Sequence, residues 1–308
     1  MMSVPLFSII IPVHNAVAFL ENTLFSVAYQ TEMNWECLVV NDHSDDGSDH
    51  IYRSFKERDK RFKIFNSEKK GANAARNLGI AMSSSRRLIF LDADDLLEEN
   101  CISDRMKFIY DNGDYDMYVF KTEISDGSMK TGLFSRESDL PAQLISAFIR
   151  HEIPWHTTSV VWDRVFIKKI GGWNEAYQRL QDVEINIRAL LKGARMRFGA
   201  DRPDSIYVKG SFTAHKVENA LYASCNLITD YYAEVVAWIG CDEKDEVIKS
   251  FETLISKTLG LYVNMVKYPV INWENKFLNV LRRIGAEKEE IDYVITVFKV
   301  FADTVASS

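Results

Sequence analysis

The 308-residue sequence predicts an α/β protein: a mostly parallel sheet flanked by helices, followed by an all-helical C-terminal region. Three observations predict it. Apolar runs such as FSIIIPV (7–13) alternate with segments of helical period through the first 125 residues, as for strands buried on both faces. The runs end in polar clusters: PVHN, NDHSDDGS and DADD. From about residue 217 only helical periodicity remains.

In chain order, FSIIIPV is the first strand, and AFLENTLFSVAYQ (18–30) a helix with Leu20, Leu24 and Val27 on its apolar side. WECLVVND (35–42) is the second strand, and DGSDHIYRSFKERD (46–59) a helix burying Ile51 and Phe55. FKIFN (62–66) is a third strand, followed by the helix GANAARNLGIAMSS (71–84) with Ala74, Leu78 and Ala81 on one side. RLIFLD (87–92) and DMYVFKTE (116–123) are strands on either side of a helix near 98–111. SDGSMKTG (125–132) reads as a loop, LPAQLISAFIRHEI (140–153) as a helix from Pro141, and HTTSVVWD (156–163) as a strand. QDVEINIRALLKG (181–193) is a helix ending at Gly193, with Val183, Ile187, Leu190 and Leu191 inward. Four helical stripes follow, without clustered catalytic residue types; they suit packing, partner docking or self-association into a homo-oligomer. The expected division is 1–216, with a first half to 125 and a second from 126, then 217–308.

Composition narrows the partners. A chain 47% hydrophobic and 26% charged is globular rather than disordered, and a net charge of −7 argues against nucleic-acid binding. Cys37, Cys101, Cys225 and Cys241 have neither metal-ligand nor disulfide-framework spacing, so reduced thiols and a cytoplasmic location are expected. No run is long and apolar enough for a membrane span, which leaves peripheral contact at the inner face of the membrane as the expected limit of membrane association.

The run RRLIFLDADDLL (86–97) carries the chemistry. It delivers Asp92, Asp94 and Asp95 to the carboxyl end of a strand, where open α/β sheets bind ligands. Turn residues explain each polar cluster singly. They do not explain three carboxylates in four residues, which repel one another unless a cation joins them. Mg²⁺ or Mn²⁺, with their preference for oxygen ligands, fit.

These stretches resemble the family 2 glycosyltransferases of the GT-A (Rossmann-like) fold. The resemblance is carried by FSIIIPVHN (7–15), LVVNDHSDDGS (38–48), KGANAARNLGIAMSSSRRLIFLDADD (70–95) and QDVEINIRAL (181–190), and it covers about residues 5 to 215. It implies an inverting, metal-dependent transfer of sugar from a nucleotide sugar, with UDP the expected nucleotide. The acceptor would be a hydroxyl of a saccharide or lipid-linked intermediate in cell-surface polysaccharide synthesis. Pro12, Val13, His14, Asn15 and Asp42 would line the base pocket, and Arg76 would meet the base or diphosphate. Asp92 and Asp94 match the DxD pair; Asp94 would contact ribose or metal, with Asp95 and His215 as further metal ligands. Asp182 would be the catalytic base; read from its local sequence alone, it is a helix N-cap. Glu184 and Arg188 read as a surface or supporting ion pair. Trp155, His156 and Trp162 would stand on the acceptor side, although a buried strand position suits Trp162.

Three residues depart from the family pattern: His14 for tyrosine, Asn41 for aspartate and Gln181 for the glutamate before the base. Two other functions compete. A nucleotidyltransferase would need a glycine-rich loop after the first strand, and PVHNAVAFLE has no glycine. A non-catalytic nucleotide-sugar-binding or scaffold protein would have no need of Asp92, Asp94 and Asp182.

Overall fold

In this computed structural model the described residues are 4–138, 140–199, 202–210 and 214–265, with Leu278, Asn279 and Arg282. They divide into two compact units: 1–139 with 153–211, and 140–152 with 212–308. Residues 140–152, expected within the first region, thus group with the helical one.

The first unit is built on strand–helix repeats. β1 (Phe7–Val13), α1 (Leu20–Ala28), β2 (Trp35–Asn41), α2 (Ser48–Arg58), β3 (Phe62–Asn66), α3 (Ala72–Met82) and β4 (Arg87–Phe90) alternate as the apolar runs predict. β5 (Leu96–Leu97) and α4 (Cys101–Asn112) follow. The run 116–123 is not one strand. It divides into β6 (Met117–Val119) and β7 (Thr122–Ser125), which enter different sheets. The stretch read as a loop at 125–132 instead turns into β8 (Lys130–Phe134), a largely exposed strand hydrogen-bonded to β7. α5 (Pro141–Ile149) belongs to the other unit. The expected strand at 156–163 opens with a 3₁₀ turn at 157–159, and β9 covers only Val160–Asp163. Then come α6 (Arg164–Lys169), α7 (Gln181–Leu191), β10 (Met196–Phe198) and β11 (Ser205–Val208).

The main sheet has seven strands in the order β10-β6-β9-β4-β1-β2-β3. It is parallel except for β9, which runs antiparallel to both β4 and β6. β1 is buried along its whole length, which is why it carries no polar alternation. α3 lies so close to it that a Cβ on Gly79 would stand 2.3 Å from Ile10 Cγ2. The inward side of α3 therefore carries Ala75, Gly79 and Ile80, and Ala81 faces out. On α2, Tyr52 and Phe55 are the buried residues, and Ile51 is half-buried. A second sheet, β5-β11-β7-β8, adjoins the end of β4 through the short link to β5.

The second unit is helical where described: α5 with α8 (Ala214–Trp238) and α9 (Lys244–Met265). Within it α8 packs on α9 and α5 on α9, and Arg150 Nη1 donates to Ser250 Oγ at 2.8 Å. The two further helices expected beyond residue 266 lie almost wholly outside the described residues. Cys37, Cys101 and Cys225 are buried free thiols. No helix among the described residues is long and apolar enough to cross a membrane.

Candidate active site

β4 ends at the sheet edge, and Asp92–Asp95 form a turn there, closed by the Asp95 N–H donating to the Asp92 carbonyl at 3.1 Å. Two sheets meet at this turn: β4 enters it and β5 leaves it. Asp95 points inward and is fully buried. It accepts from the Val208 N–H at 3.0 Å and the Thr158 hydroxyl at 3.4 Å, and lies 3.5 Å from His156 Nδ1. Asp92 and Asp94 are only half-buried. Asp92, Asp95 and His156 each offer a ligand atom, all within 4.8 Å of one another.

The electrostatics follow from this crowding. Burial, then the charges of Asp92 and Asp94, pushes Asp95 well above the usual carboxylate range. Burial acts the same way on Asp92, but the Arg76 guanidinium and His156 outweigh it and hold Asp92 low. Burial depresses the pKa of His156, against the pull of Asp92 and Asp182. A neutral imidazole beside two carboxylates is a donor set that fits Mn²⁺ or Mg²⁺, and a cation there would relieve the Asp95–Asp92 repulsion.

Arg76 is not a solvated arginine. It is 4% exposed, on the first turns of α3. Its Nη2 donates to Asp92 Oδ1 at 2.6 Å, and its Nη1 to Asn73 Oδ1 and Gln181 Oε1, both at 3.0 Å. The guanidinium lies over the Trp173 ring, 4.6 Å from its centroid. Gln181, the neutral departure from the family pattern, thus takes a carbonyl-to-guanidinium bond. α3 is further stitched to the loop before α7: Asn73 Nδ2 donates to the carbonyls of Asn174 and Tyr177, and Asn77 exchanges bonds with the Trp173 backbone.

At the ends of β1 and β2, His14 and Asn15 are exposed. Pro12 and Val13 are buried at the end of β1. The His14 ring Nδ1 donates to the Asp42 carbonyl at 2.7 Å. Asn15, at φ 50°, accepts the Asp45 N–H at 2.9 Å. The buried Asp42 carboxylate accepts the Gly71 N–H at 2.9 and 3.0 Å, which ties the second strand end to the start of α3.

Asp182 is the second residue of α7, not its cap. The capping position is Leu180, in the left-handed region at φ 55°, and no side chain caps the helix. Among the described residues the Asp182 carboxylate forms no hydrogen bond or ion pair. It stands in a first helical turn, where the helix dipole favours its charge. The Glu184–Arg188 pair is buried rather than superficial, at 2.8 Å, and Arg188 also binds the carbonyls of Ile170 and Gly172. Trp155 and Trp162 are both buried: Trp155 donates to Asn186 Oδ1 and packs on Phe198. Of the three acceptor-side candidates, only His156 reaches the carboxylates. His215 falls in the first turn of α8, and its side chain lies outside the described residues.

Local sequence did not single out Phe134, Thr158, Arg179 or Tyr207. The Phe134 ring stacks on His156 at 5.7 Å between centroids, and Tyr207 lies 4.5 Å from His156. Burial first, then Asp95 and Asp94, raises the Tyr207 pKa, with Arg179 opposing.

A mixed, mainly parallel sheet with carboxylates at its strand ends and a smaller adjoining sheet defines a GT-A-like α/β fold. The sequence pattern of glycosyl transferase family 2 matches residues 8–168, just over half of the chain, and the protein belongs to that family. The chain is 33% identical over 106 residues to a Bacillus subtilis (strain 168) protein named as a teichuronic acid biosynthesis glycosyltransferase, TuaG, covering 34% of this chain and 42% of TuaG. Matches to curated relatives of this kind span less than half of the relatives' own length. Among solved structures, S. aureus TarS 1–349 in complex with UDP-GlcNAc aligns over 97% of this chain and 92% of its own, with TM-score 0.61 and 15% identity. The mannosyltransferase PcManGT of Pyrobaculum calidifontis, in complex with GDP-Man and Mn²⁺, aligns over 97% and 80%, with TM-score 0.56 and 14% identity. At these identities the likeness is one of fold.

Proposed function

We propose that the protein transfers a sugar from a UDP-sugar to an acceptor hydroxyl with inversion, in the synthesis of a cell-surface polysaccharide, and that it requires a divalent cation. The observation that carries this reading is the Asp92–Asp95 turn at the carboxyl end of β4, with the unpaired Asp182 carboxylate within electrostatic reach of the same His156. The complexed ligands of TarS and PcManGT and the name of TuaG support the substrate class.

Asp92, Asp95 and His156, with Asp94 beside them, would hold Mg²⁺ or Mn²⁺, which supplies charge neutralisation for a departing diphosphate. Arg76 fixes Asp92 and, through Gln181, the start of α7. His14, Asn15 and the Asp42 loop border the nucleotide end, with Asp42 held by Gly71. Asp182 takes the proton from the acceptor hydroxyl as its oxygen attacks the anomeric carbon from the face opposite the leaving group; that single displacement inverts the centre.

The test is release of UDP from a panel of UDP-sugars offered with saccharide acceptors. Asp182→Asn should leave UDP binding intact and lower transfer on the order of 10²–10⁴-fold, the usual contribution of a positioned base. Transfer at the parental rate by Asp182→Asn would remove Asp182 from that role.

A further inference from the structure

We propose that Arg105 is a positioning residue for the cation site: through Thr158 it fixes the turn that sets the Thr158 hydroxyl and the His156 ring against Asp95. The inference rests on the reading of the Asp92–Asp95 turn as a divalent-cation site, and deepens it by naming what holds that site in shape.

Arg105 lies on α4, the helix that follows the carboxylate turn and β5. Its side chain is fully buried. Nε and Nη2 both donate to the Asp204 carboxylate at 2.7 Å, and Nη1 donates to the Thr158 carbonyl at 3.0 Å. The guanidinium lies against the Phe120 ring, 4.8 Å from its centroid. The two-pronged pairing with Asp204 fixes the plane of the fork, and that plane aims the remaining arm at one carbonyl.

Thr158 is where this contact meets the carboxylates. Its hydroxyl donates to Asp95 Oδ2 at 3.4 Å, and its N–H donates to His156 Nδ1 at 3.4 Å. One residue thus has its carbonyl on Arg105, its hydroxyl on Asp95 and its N–H on the imidazole. Asp204 opens a second route. It immediately precedes β11, whose Val208 N–H donates to the other oxygen of Asp95 at 3.0 Å. Asp95 itself leads through β5 into α4, so the contacts close a ring from Asp95 to Arg105 to Thr158 and back. The ends of the turn are held by neutral hydroxyls. Ser159 Oγ accepts the His156 N–H at 3.1 Å and bonds Thr122 Oγ1 at 2.6 Å, which bonds Ser205 Oγ at 2.8 Å. Arg105 supplies the charged contact, and it falls on the residue that touches Asp95.

A buried ion pair adds little net stability over an apolar filling of the same volume. The use of this one is direction: it holds in place the groups behind the ligands. Loss of such a partner weakens metal binding by about 10–100-fold.

Mn²⁺ titrations of the full chain, with and without UDP and read by the EPR signal of the free ion, test this. Arg105→Lys keeps a charge beside Asp204 but loses the arm to Thr158. Arg105→Met combined with Asp204→Asn removes both charges of the pair. Each should weaken Mn²⁺ binding about tenfold or more. Thr158→Val removes only the hydroxyl and should weaken it too. Combined with Arg105→Lys it should cost less than the two single losses together, because both act along one chain of bonds. Glu36→Gln, a destabilising change remote from the turn, should bind Mn²⁺ as the wild type does. Wild-type Mn²⁺ affinity in either Arg105 variant would make the pair purely structural and overturn the proposal, as would losses that add in the combined variant. If the Arg105 variants do not fold, Thr158→Val decides, and wild-type affinity in it overturns the proposal. Unaffected binding in the variants removes this inference alone. A wild type that binds no Mn²⁺ in either state removes the cation reading and the inference with it.

Discussion

Arg76 Nη2 lies 2.6 Å from Asp92 Oδ1, and through this one bond α3 holds the first carboxylate of the site. Arg76→Ala would strand Asp92, Asn73 and Gln181 without their shared donor. With Asp92 28% exposed, the expected loss is about 1–3 kcal/mol, below that for a fully buried pair. Urea denaturation checks the stability, and UDP titration should show a parallel loss of affinity. Arg76→Lys cannot bridge three acceptors and should recover little of either.

Gly79 is required by space rather than by backbone conformation. Gly79→Ala places a methyl 2.3 Å from Ile10 Cγ2, in the contact between α3 and β1. The expected destabilisation is about 1–3 kcal/mol, read by chemical denaturation. An unchanged midpoint would mean that α3 shifts freely on β1.

Glu36 gives the fold an acid-sensitive contact far from the carboxylate turn. Burial works to raise its pKa, but bonds from Lys63, Ser8 and the Ser84 N–H outweigh burial and hold it below the ordinary value. A depressed carboxylate stabilises the fold above its unfolded pKa, and that contribution is lost as pH falls through the folded one. The stability gap between wild type and Glu36→Gln should therefore be widest near neutral pH and narrow below about pH 4.3. Denaturation midpoints across that range check it.

Asp95 has the opposite sign. Its raised pKa favours the fold where the carboxyl is protonated, and the advantage is lost as pH rises through the folded value. In chelator, Asp95→Asn should gain stability relative to wild type as pH rises. A gap that stays constant would mean Asp95 carries no strain from its neighbours. Thermal unfolding with EDTA measures it.

Much of this architecture was legible because burial on both faces leaves a continuous apolar run, as in β1, β2 and β4. Strands that are only partly buried leave no such trace. β5, β8, β10 and β11 were missed for that reason, and the reversal of β9 has no local signal at all. The site shows the same division. Asp92, Asp94, Asp95, Arg76 and Asp182 sit in motifs, so their positions could be read. His156 was read as an acceptor-side residue, and only the pairing of β9 with β4 carries it beside Asp95. The one local hint was a polar HTT ahead of an apolar strand. Phe134 and Tyr207 converge on His156 from two separate strands, and nothing in their flanking residues marks them. Asp182 shows the limit of a local rule: an acid before an apolar helical run suggests a cap, yet the chain places Leu180 there.

The central claim is that the Asp92–Asp95 turn binds a nucleotide diphosphate through a divalent cation. Titration calorimetry of UDP into the full chain, with Mg²⁺ or Mn²⁺ and then with chelator, tests it most directly. The account predicts measurable binding with either metal, loss of that binding in chelator, and a marked weakening in Asp92→Asn. Equal UDP affinity with metal and with chelator would contradict it.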